Sequence, residues 1–310
     1  MVYLVTGAAG FIGSALAKRL ISGGNKVVTI DNLSTGKIEN IPKGCEFIEG
    51  NVQDEEIINS LSKYKFDAVF HIAGQSSGEV SFENPVYDFE TNAKSTLLLL
   101  EFARQTGINK FIYASSMSTY GDCCNELVVE DDVQKPKSFY AVGKLASENY
   151  MRIYSTYGIK CTALRFFNVY GIGQNMDNLK QGMASIYLAM AINDRNIKVK
   201  GAKDRFRDFV YIDDVVNACI KAEELCYQDN YNVFNICCKR KITVEYIIEV
   251  IKSYISGVKV EYCEGTPGDQ FGIYGDNNKA NKILNWEPIV TFEEGMDRFI
   301  KFAINAKEKK

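Results

Sequence analysis

The stretch MVYLVTGAAGFIGSALAKRLISGGNKVVTID, residues 1–31, decides the fold. Residues 2–5 are a short apolar run of strand character, and Gly7, Gly10 and Gly13 punctuate the turn that follows, with Phe11 and Ile12 between the last two. Residues 14–21 set Ala15, Leu16, Arg19 and Leu20 at the spacings of an amphipathic helix, and a second apolar run, 27–30, ends on Asp31. Strand, glycine turn, helix and strand within about 30 residues, closed by an acid, is what a dinucleotide pocket requires. Gly7 permits the tight turn, Gly10 lets the backbone approach a pyrophosphate, and Gly13 lets the helix pack closely on the strand. The helix N-terminus turns its unpaired N–H groups toward the phosphates. Asp31 accepts from both adenosine ribose hydroxyls and repels a 2′-phosphate, which selects NAD over NADP.

Around this unit the chain is long enough, at 310 residues, to bury a full core in one large domain or two intimately joined ones. Its hydrophobic share of 46% and charged share of 24% are those of a soluble globular protein. A net charge of −3 leaves no basic footprint for nucleic acid. No apolar run is long enough to span a membrane, and the N-terminus enters a strand directly, without the charged-then-apolar pattern of a signal peptide. Nine cysteines without framework spacing, Cys123–Cys124 and Cys237–Cys238 among them, fit a reducing cytoplasm. With no C-x-x-C and a single histidine, His71, neither a zinc site nor a histidine-based triad is expected, and no metal is assigned. His71 lies mid-strand and is expected to pack in the core.

Strands and helices alternate through the first half. Strands are expected at 47–48, 66–72, 110–115 and 161–166, and helices at 54–64, 86–106 and 139–157. Asp54 is the expected N-cap of its helix, and Gly107 ends the long one. This rhythm predicts an α/β fold, a doubly wound parallel Rossmann sheet with right-handed crossovers. Beyond Phe167 the texture changes: Gly171 and Gly173, a polar stretch at 174–181, a helix at 183–192, a short strand at 197–199 and a charged loop at 203–208. A helix at 212–225, with Asp213 and Asp214 as its caps, and a strand at 233–236 return to the main sheet. Helices near 244–255 and 292–304 complete a smaller, interwoven C-terminal substrate-binding domain. The expected division is 1–167 with 208–236 for the NAD-binding part, and 168–207 with 237–310 for the substrate part.

The chemistry falls at the end of the strand 110–115. It runs into Ser116-Met117-Ser118-Thr119-Tyr120-Gly121, and 24 residues after Ser116 comes Tyr140-Ala141-Val142-Gly143-Lys144. On a helix Tyr140 and Lys144 share a face. Free tyrosine, with a pKa of about 10, is only about 0.1% ionised at neutral pH. Lowering that value to 7 takes roughly 4 kcal/mol, within reach of a nearby ammonium and a positively charged nicotinamide in a low-dielectric pocket. A tyrosinate so formed removes a hydroxyl proton while hydride leaves the same carbon.

The motifs TGAAGFIGS, Asp31-Asn32-Leu33-Ser34-Thr35-Gly36, HIAG, SSMSTYG, YAVGK, RFFNVYG and RDFVYIDDV cover almost the whole chain. Together with the G-x-x-G-x-x-G spacing they resemble the extended short-chain dehydrogenase/reductase family. Within it they look most like the NAD-dependent nucleotide-sugar epimerases, UDP-glucose 4-epimerases and their relatives. The resemblance implies Ser116, Tyr140 and Lys144 as the catalytic triad. It implies that Gly7, Gly10, Phe11, Ile12, Gly13, Asp31, Asn32, Ser34, Thr35, Gly36, Asn51, Val52, Ile72, Ala73, Gly74, Asn92, Tyr140, Lys144 and Phe167 bind the cofactor. It further implies that Ser76, Ser116, Ser118, Tyr140, Asn168, Met183, Lys200, Arg207 and Asp269 bind a nucleotide-sugar. A homodimer formed through the 86–106 and 139–157 helices is implied as well.

The two residues after Ser116 discriminate among reactions. Sugar dehydratases of this resemblance carry Asp-Glu there to expel a hydroxyl; this chain carries Met117 and Ser118, so elimination lacks its acid. The expected reaction is epimerisation at C4 of a nucleotide-linked hexose through a transient 4-keto sugar. The hexose would be glucose/galactose, their N-acetylated counterparts or a uronic acid. The alternatives are an NDP-sugar dehydrogenase or reductase and a non-catalytic NAD-binding regulator. Relatives carry a second diphosphate arginine before the Gly268-Asp269 pair; this chain has none, and Lys198, Lys200 and Lys203 are the candidate replacements. Ile273 stands where a bulky tyrosine excludes N-acetyl sugars in some epimerases, which implies room for one here.

Overall fold

The computed structural model describes residues 1–123, 127–180, 182–225, 229–265 and 271–308. β1 (Val2–Thr6), α1 (Phe11–Ser22), β2 (Lys26–Asp31), β3 (Cys45–Glu49), α2 (Glu55–Ser60) and β4 (Ala68–His71) follow as the hydrophobic pattern dictates. α3 (Gly78–Glu83) and α4 (Pro85–Phe89) lead through a π-helical turn, Glu90–Lys94, into α5 (Ser95–Thr106). The 86–106 stretch is therefore helical but widened at one turn; a π turn is an insertion that periodicity cannot reveal, and it tends to mark functional positions. Gly107, at φ +77°, ends α5 in the left-handed conformation. β5 (Lys110–Ser116), α6 (Phe139–Ser155) and β6 (Lys160–Phe166) complete the alternating half.

Beyond it come β7 (Asn168–Tyr170), α7 (Met183–Asp194), β8 (Asn196–Lys200), β9 (Phe206–Arg207), β10 (Phe209–Tyr211), α8 (Ile212–Glu224) and β11 (Tyr231–Ile236). The chain ends with β12 (Ile242–Thr243), α9 (Val244–Tyr254), β13 (Lys259–Cys263), β14 (Gly272–Ile273) and α10 (Phe292–Glu308). The expected charged loop at 203–208 thus contains β9, with Arg205, Arg207 and Asp208 all buried.

Seven parallel strands form the main sheet in the order β11-β6-β5-β4-β1-β2-β3. Strand order reverses between β1 and β4, and a crevice opens at their carboxyl ends. Alternation along β1 feeds two cores. Tyr3 and Val5 pack with Leu16, Leu20 and Val215 on one face, while Leu4 packs with Leu99, Leu100 and Met151 on the other. The run 97–100 divides accordingly: Leu99 and Leu100 are fully buried, and Leu97 is exposed. Three small sheets, β10-β7, β12-β9-β14 and β13-β8, sit beyond the carboxyl edge and wall the far side of the crevice.

Two expected caps make other bonds instead. Asp54 occupies the cap position of α2, but its carboxylate accepts from the Asn51 amide at 3.0 Å instead of capping. Asp214 lies inside the first turn of α8, fully buried, and accepts the backbone N–H groups of Ile289 and Val290, both at 3.1 Å. It ties the segment before α10 to the sheet. Asp213 stays exposed, 3.8 Å from Arg298.

Candidate active site

A cleft of about 960 Å³ runs along the carboxyl ends of β1, β2, β4 and β5 and continues to α7, β8 and β9. Backbone builds its first half. Gly7 has φ +79°, and a Cβ there would stand 2.9 Å from Ala73. A Cβ on Gly13 would stand 2.1 Å from the Gly7 carbonyl oxygen, so the turn lies flat on the start of α1 only because both are glycine. α1 begins without a side-chain cap and without an acid in its first turn, leaving its positive end for an anion. Across the rim Asp31 accepts the Ala9 N–H at 2.9 Å and the Leu33 N–H at 2.8 Å, which fixes its carboxylate. On the opposite lip the Thr6 hydroxyl accepts the N–H groups of Ile72 and Ala73 at 3.1 and 3.0 Å.

Gly10, Phe11, Ile12, Asn32, Ser34, Thr35, Gly36, Val52, Ile72, Ala73 and Gly74 all line this half. Two residues expected here do not. Asn51 lies outside the lining, its oxygen taken by the Asn32 amide at 2.8 Å and its own amide by Asp54. Asn92 is buried behind Gly74, donating to the Gln75 carbonyl at 2.9 Å and to Asp88 at 3.1 Å. A Cβ on Gly74 would lie 2.5 Å from Asn92 Oδ1, so Asn92 supports the wall from outside it.

The two halves meet at the end of β5. Ser116 Oγ accepts the Ser118 N–H at 3.2 Å and the Ser118 hydroxyl at 2.9 Å, and its hydroxyl favours the ionised form of Tyr140. Ser138 caps α6 by accepting the Ala141 N–H at 3.2 Å, which sets the turn that carries Tyr140. One turn on, Lys144 donates from Nζ to the Ala114 carbonyl at 2.8 Å, with the Tyr113 and Tyr140 ring centroids 4.7 and 5.7 Å from the ammonium. Burial acts on both partners, pushing the Tyr140 hydroxyl up to about 12 and Lys144 down to about 8. Beneath them Glu148 receives Arg165 at 3.0 and 2.7 Å and Ser115 at 2.5 Å. Arg165 also reaches the Tyr120 hydroxyl, which donates to Asn235 at 2.6 Å on β11. This buried network locks β5, β6, β11 and α6 under the reacting groups.

Side chains build the second half. Ser76, Ser118, Phe167, Asn168, Met183, Lys200 and Arg207 line it, with Lys198 beside them. The Arg207 guanidinium is held by the carbonyls of Phe206 and Phe271 at 2.8 and 3.2 Å. Asn168 donates to the Asp208 carbonyl at 3.2 Å, with its amide 3.5 Å from the Met117 sulfur. Lys200 stands 3.6 Å from Glu79 across the cleft. Lys203 points away and pairs with Glu245 at 2.8 Å, so it supplies no charge here. Asp269 lies outside the described residues.

Ile273 does not line the cleft either. Its β9 partner, Arg207, faces the opening while Ile273 is buried with Tyr120, Phe167 and Cys237, and Met117 covers that cluster. His71 is core: fully buried between the Thr6 hydroxyl (2.9 Å) and the Ser95 hydroxyl (3.3 Å), with burial pushing its imidazole down to about 3. Gln75, Glu79, Gln174 and Lys180 line the cleft without having been expected to. The polar stretch at 174–181 was the visible signal for the last two.

The family model for the NAD dependent epimerase/dehydratase family matches residues 3–237. The UDP-glucose 4-epimerase of Mycolicibacterium smegmatis is 32% identical over 98% of this chain and 99% of its own length. Among solved structures, the UDP-glucose 4-epimerase of Thermotoga maritima with UDP-glucose aligns with a TM-score of 0.94 at 34% identity, over 99% of this chain and all of that one. The UDP-N-acetylglucosamine 4-epimerase of Methanobrevibacter ruminantium, in complex with UDP-N-acetylmuramic acid, aligns with a TM-score of 0.91 at 29% identity, over 98% of each chain. The glycine turn, the fixed Asp31 and the meeting of Ser116, Tyr140 and Lys144 in one cleft agree with these matches: the chain belongs to the NAD dependent epimerase/dehydratase family.

Proposed function

We propose that this protein is a nucleotide-sugar 4-epimerase that uses NAD and inverts C4 of a UDP-linked hexose. One observation carries the reading: Ser116, Tyr140 and Lys144 stand where the anion-receptive, Asp31-bearing half of the cleft meets the half lined by Lys198, Lys200 and Arg207. The residues present fit NAD. The uncapped start of α1 suits its pyrophosphate, and the fixed carboxylate of Asp31 suits a ribose diol and repels a 2′-phosphate. The guanidinium of Arg207 and the ammonium groups of Lys198 and Lys200 suit a diphosphate.

When bound, NAD supplies a reversible acceptor for the hydrogen on sugar C4. Tyr140 takes the proton of the C4 hydroxyl and returns it, and Ser116 holds the same oxygen. With its hydroxyl pushed up to about 12, Tyr140 needs about 7 kcal/mol of help to ionise at neutral pH. A cation at roughly 5 Å supplies about 3 kcal/mol at an effective dielectric of about 20. Lys144 thus covers under half of it. The sequence alone suggested a smaller requirement, because burial of Tyr140 could not be read from it. Met117 and Ser118 follow Ser116, so the carboxylates that would expel a neighbouring hydroxyl are missing from that position, which favours epimerisation over elimination.

The sheet half and the small-sheet half of the cleft correspond in this reading to cofactor and substrate parts. The exposed apolar side chains Val86, Phe89, Leu97, Val142 and Ile153 on α4, α5 and α6 support a homodimer through those helices, checked by light scattering. Seven free cysteines among the described residues suit a reducing cytoplasm. The test is to incubate the purified protein, without added NAD, with UDP-glucose, UDP-N-acetylglucosamine and UDP-glucuronate and to follow the C4 epimer by NMR. Epimer from any of them supports the reading. Turnover only with stoichiometric reduced cofactor makes the protein a dehydrogenase and overturns it.

A further inference from the structure

Behind Gly74 and Gly143, on the side of Lys144 away from the cleft, lies a buried carboxylate to which the reaction assigns nothing. Asp88, at the end of α4 and next to the π turn, is fully buried. Its Oδ1 accepts the Gln75 amide at 2.7 Å and the Asn92 amide at 3.1 Å, while its Oδ2 is buried without a hydrogen-bond partner. Neither donor carries a charge. A Cβ on Gly143 would lie 3.6 Å from Asp88 Oδ2, and one on Gly74 would lie 3.4 Å from Lys144 Nζ. Asn92 stands at both glycines, its Oδ1 2.5 Å from the Gly74 position and its Cβ 3.1 Å from the Gly143 position, so the carboxylate and the ammonium lie on either side of a neutral amide that donates to Asp88.

We propose that Asp88 is a positioning residue of the reaction: the counter-charge that keeps the Lys144 ammonium charged beside Tyr140. The proposal rests on Tyr140 and Lys144 acting as described above. Glu148, on α6 itself, is committed to Arg165 of β6 through two bonds and to Ser115. His71 on β4 is held neutral by burial, and Tyr113 on β5 and Tyr140 on α6 are neutral phenols whose hydroxyls burial pushes up. That leaves Asp88 as the carboxylate without a cation of its own. Burial raises its proton affinity, but the Gln75 and Asn92 amides and the Lys144 charge all pull it back toward the anion. In return it opposes the desolvation that draws Lys144 down to about 8.

The test compares the wild type with Asp88→Asn, which keeps the shape and removes the charge, and Asp88→Glu, which keeps the charge. Lysine side chains are labelled with ¹³C at Cε, and the Lys144 resonance is identified by its loss in Lys144→Met. A unit charge at this range changes a titration midpoint by about one pH unit. In Asp88→Asn the Lys144 midpoint is expected to fall by about that amount, and the alkaline limb of kcat/KM to fall with it. In Asp88→Glu both should stay near the wild-type values. An unmoved Lys144 midpoint in Asp88→Asn overturns the proposal even if kcat drops, because a purely structural role would lower activity without moving the titration. If Asp88→Asn does not fold, Asp88→Ser, which leaves room for water, takes its place under the same criteria. Failure of the underlying reading looks different: Tyr140→Phe would retain turnover, whatever the Lys144 midpoint does.

Discussion

The two halves of the cleft are built by different means. In the cofactor half the contacts are backbone geometry: a glycine turn with no room for a Cβ, an uncapped helix start, and a carboxylate fixed by two N–H groups. In the substrate half they are side chains on short strands, loops and α7, among them exposed lysines in ion pairs such as Lys200–Glu79 and Lys180–Glu83. Backbone geometry tolerates almost no substitution. Exposed pairs contribute little each, so this half can change its ligand while the fold stays the same.

Substitutions should sort along this contrast. The largest effect belongs at the seam: Tyr140→Phe should lower kcat by roughly 10³-fold while cofactor binding persists, measured by turnover and cofactor titration. Gly13→Ala, whose Cβ would lie 2.1 Å from a carbonyl oxygen, should destabilise by about 3 kcal/mol or more and lose cofactor, read by urea unfolding and calorimetry. Asp31→Asn should weaken NAD binding by roughly 10-fold and narrow the preference over NADP, since two charge-assisted bonds lose their charge. Lys200→Ala should raise KM only about 2- to 5-fold, and Lys203→Ala, outside the cleft, should leave it unchanged. Equal effects of those two lysines would break the comparison.

The pH dependence follows from Lys144. Its useful form is the ammonium, and burial draws it down to about 8, so kcat/KM should fall as the pH rises through that value. A plateau extending to pH 10 would mean that Lys144 need not be charged.

The same contrast explains what the sequence could reveal. Residues 1–31 announced the cofactor half because glycine spacing, strand period and helix period are local properties, each dictated by backbone sterics. Ser116, Tyr140 and Lys144 were legible because one strand end and one helical turn fix their relation. The substrate half depends on residues far apart in the chain, such as Ser77 and Lys180, 103 positions apart and joined at 3.1 Å. Ile273 looked like a wall of the sugar site by position and proved to lie beneath Met117, because β14 turns it toward Tyr120 and Phe167. Asn92 and Asn51, expected to touch cofactor, are placed by the structure beside residues that line the cleft, bonded to Gln75 and Asn32. Asp88 carried no local signal at all, since the π turn that follows it and the glycines that face it act only in three dimensions.

Inversion at the sugar C4 carbon, in the seam between the halves, leaves an isotopic record. UDP-glucose carrying deuterium at C4 is turned over in ordinary water, and the epimer is examined by NMR. Removal and return of the same hydrogen within a closed site predict that deuterium stays at C4 of the product. Exchange of that deuterium for solvent hydrogen during inversion would contradict the account.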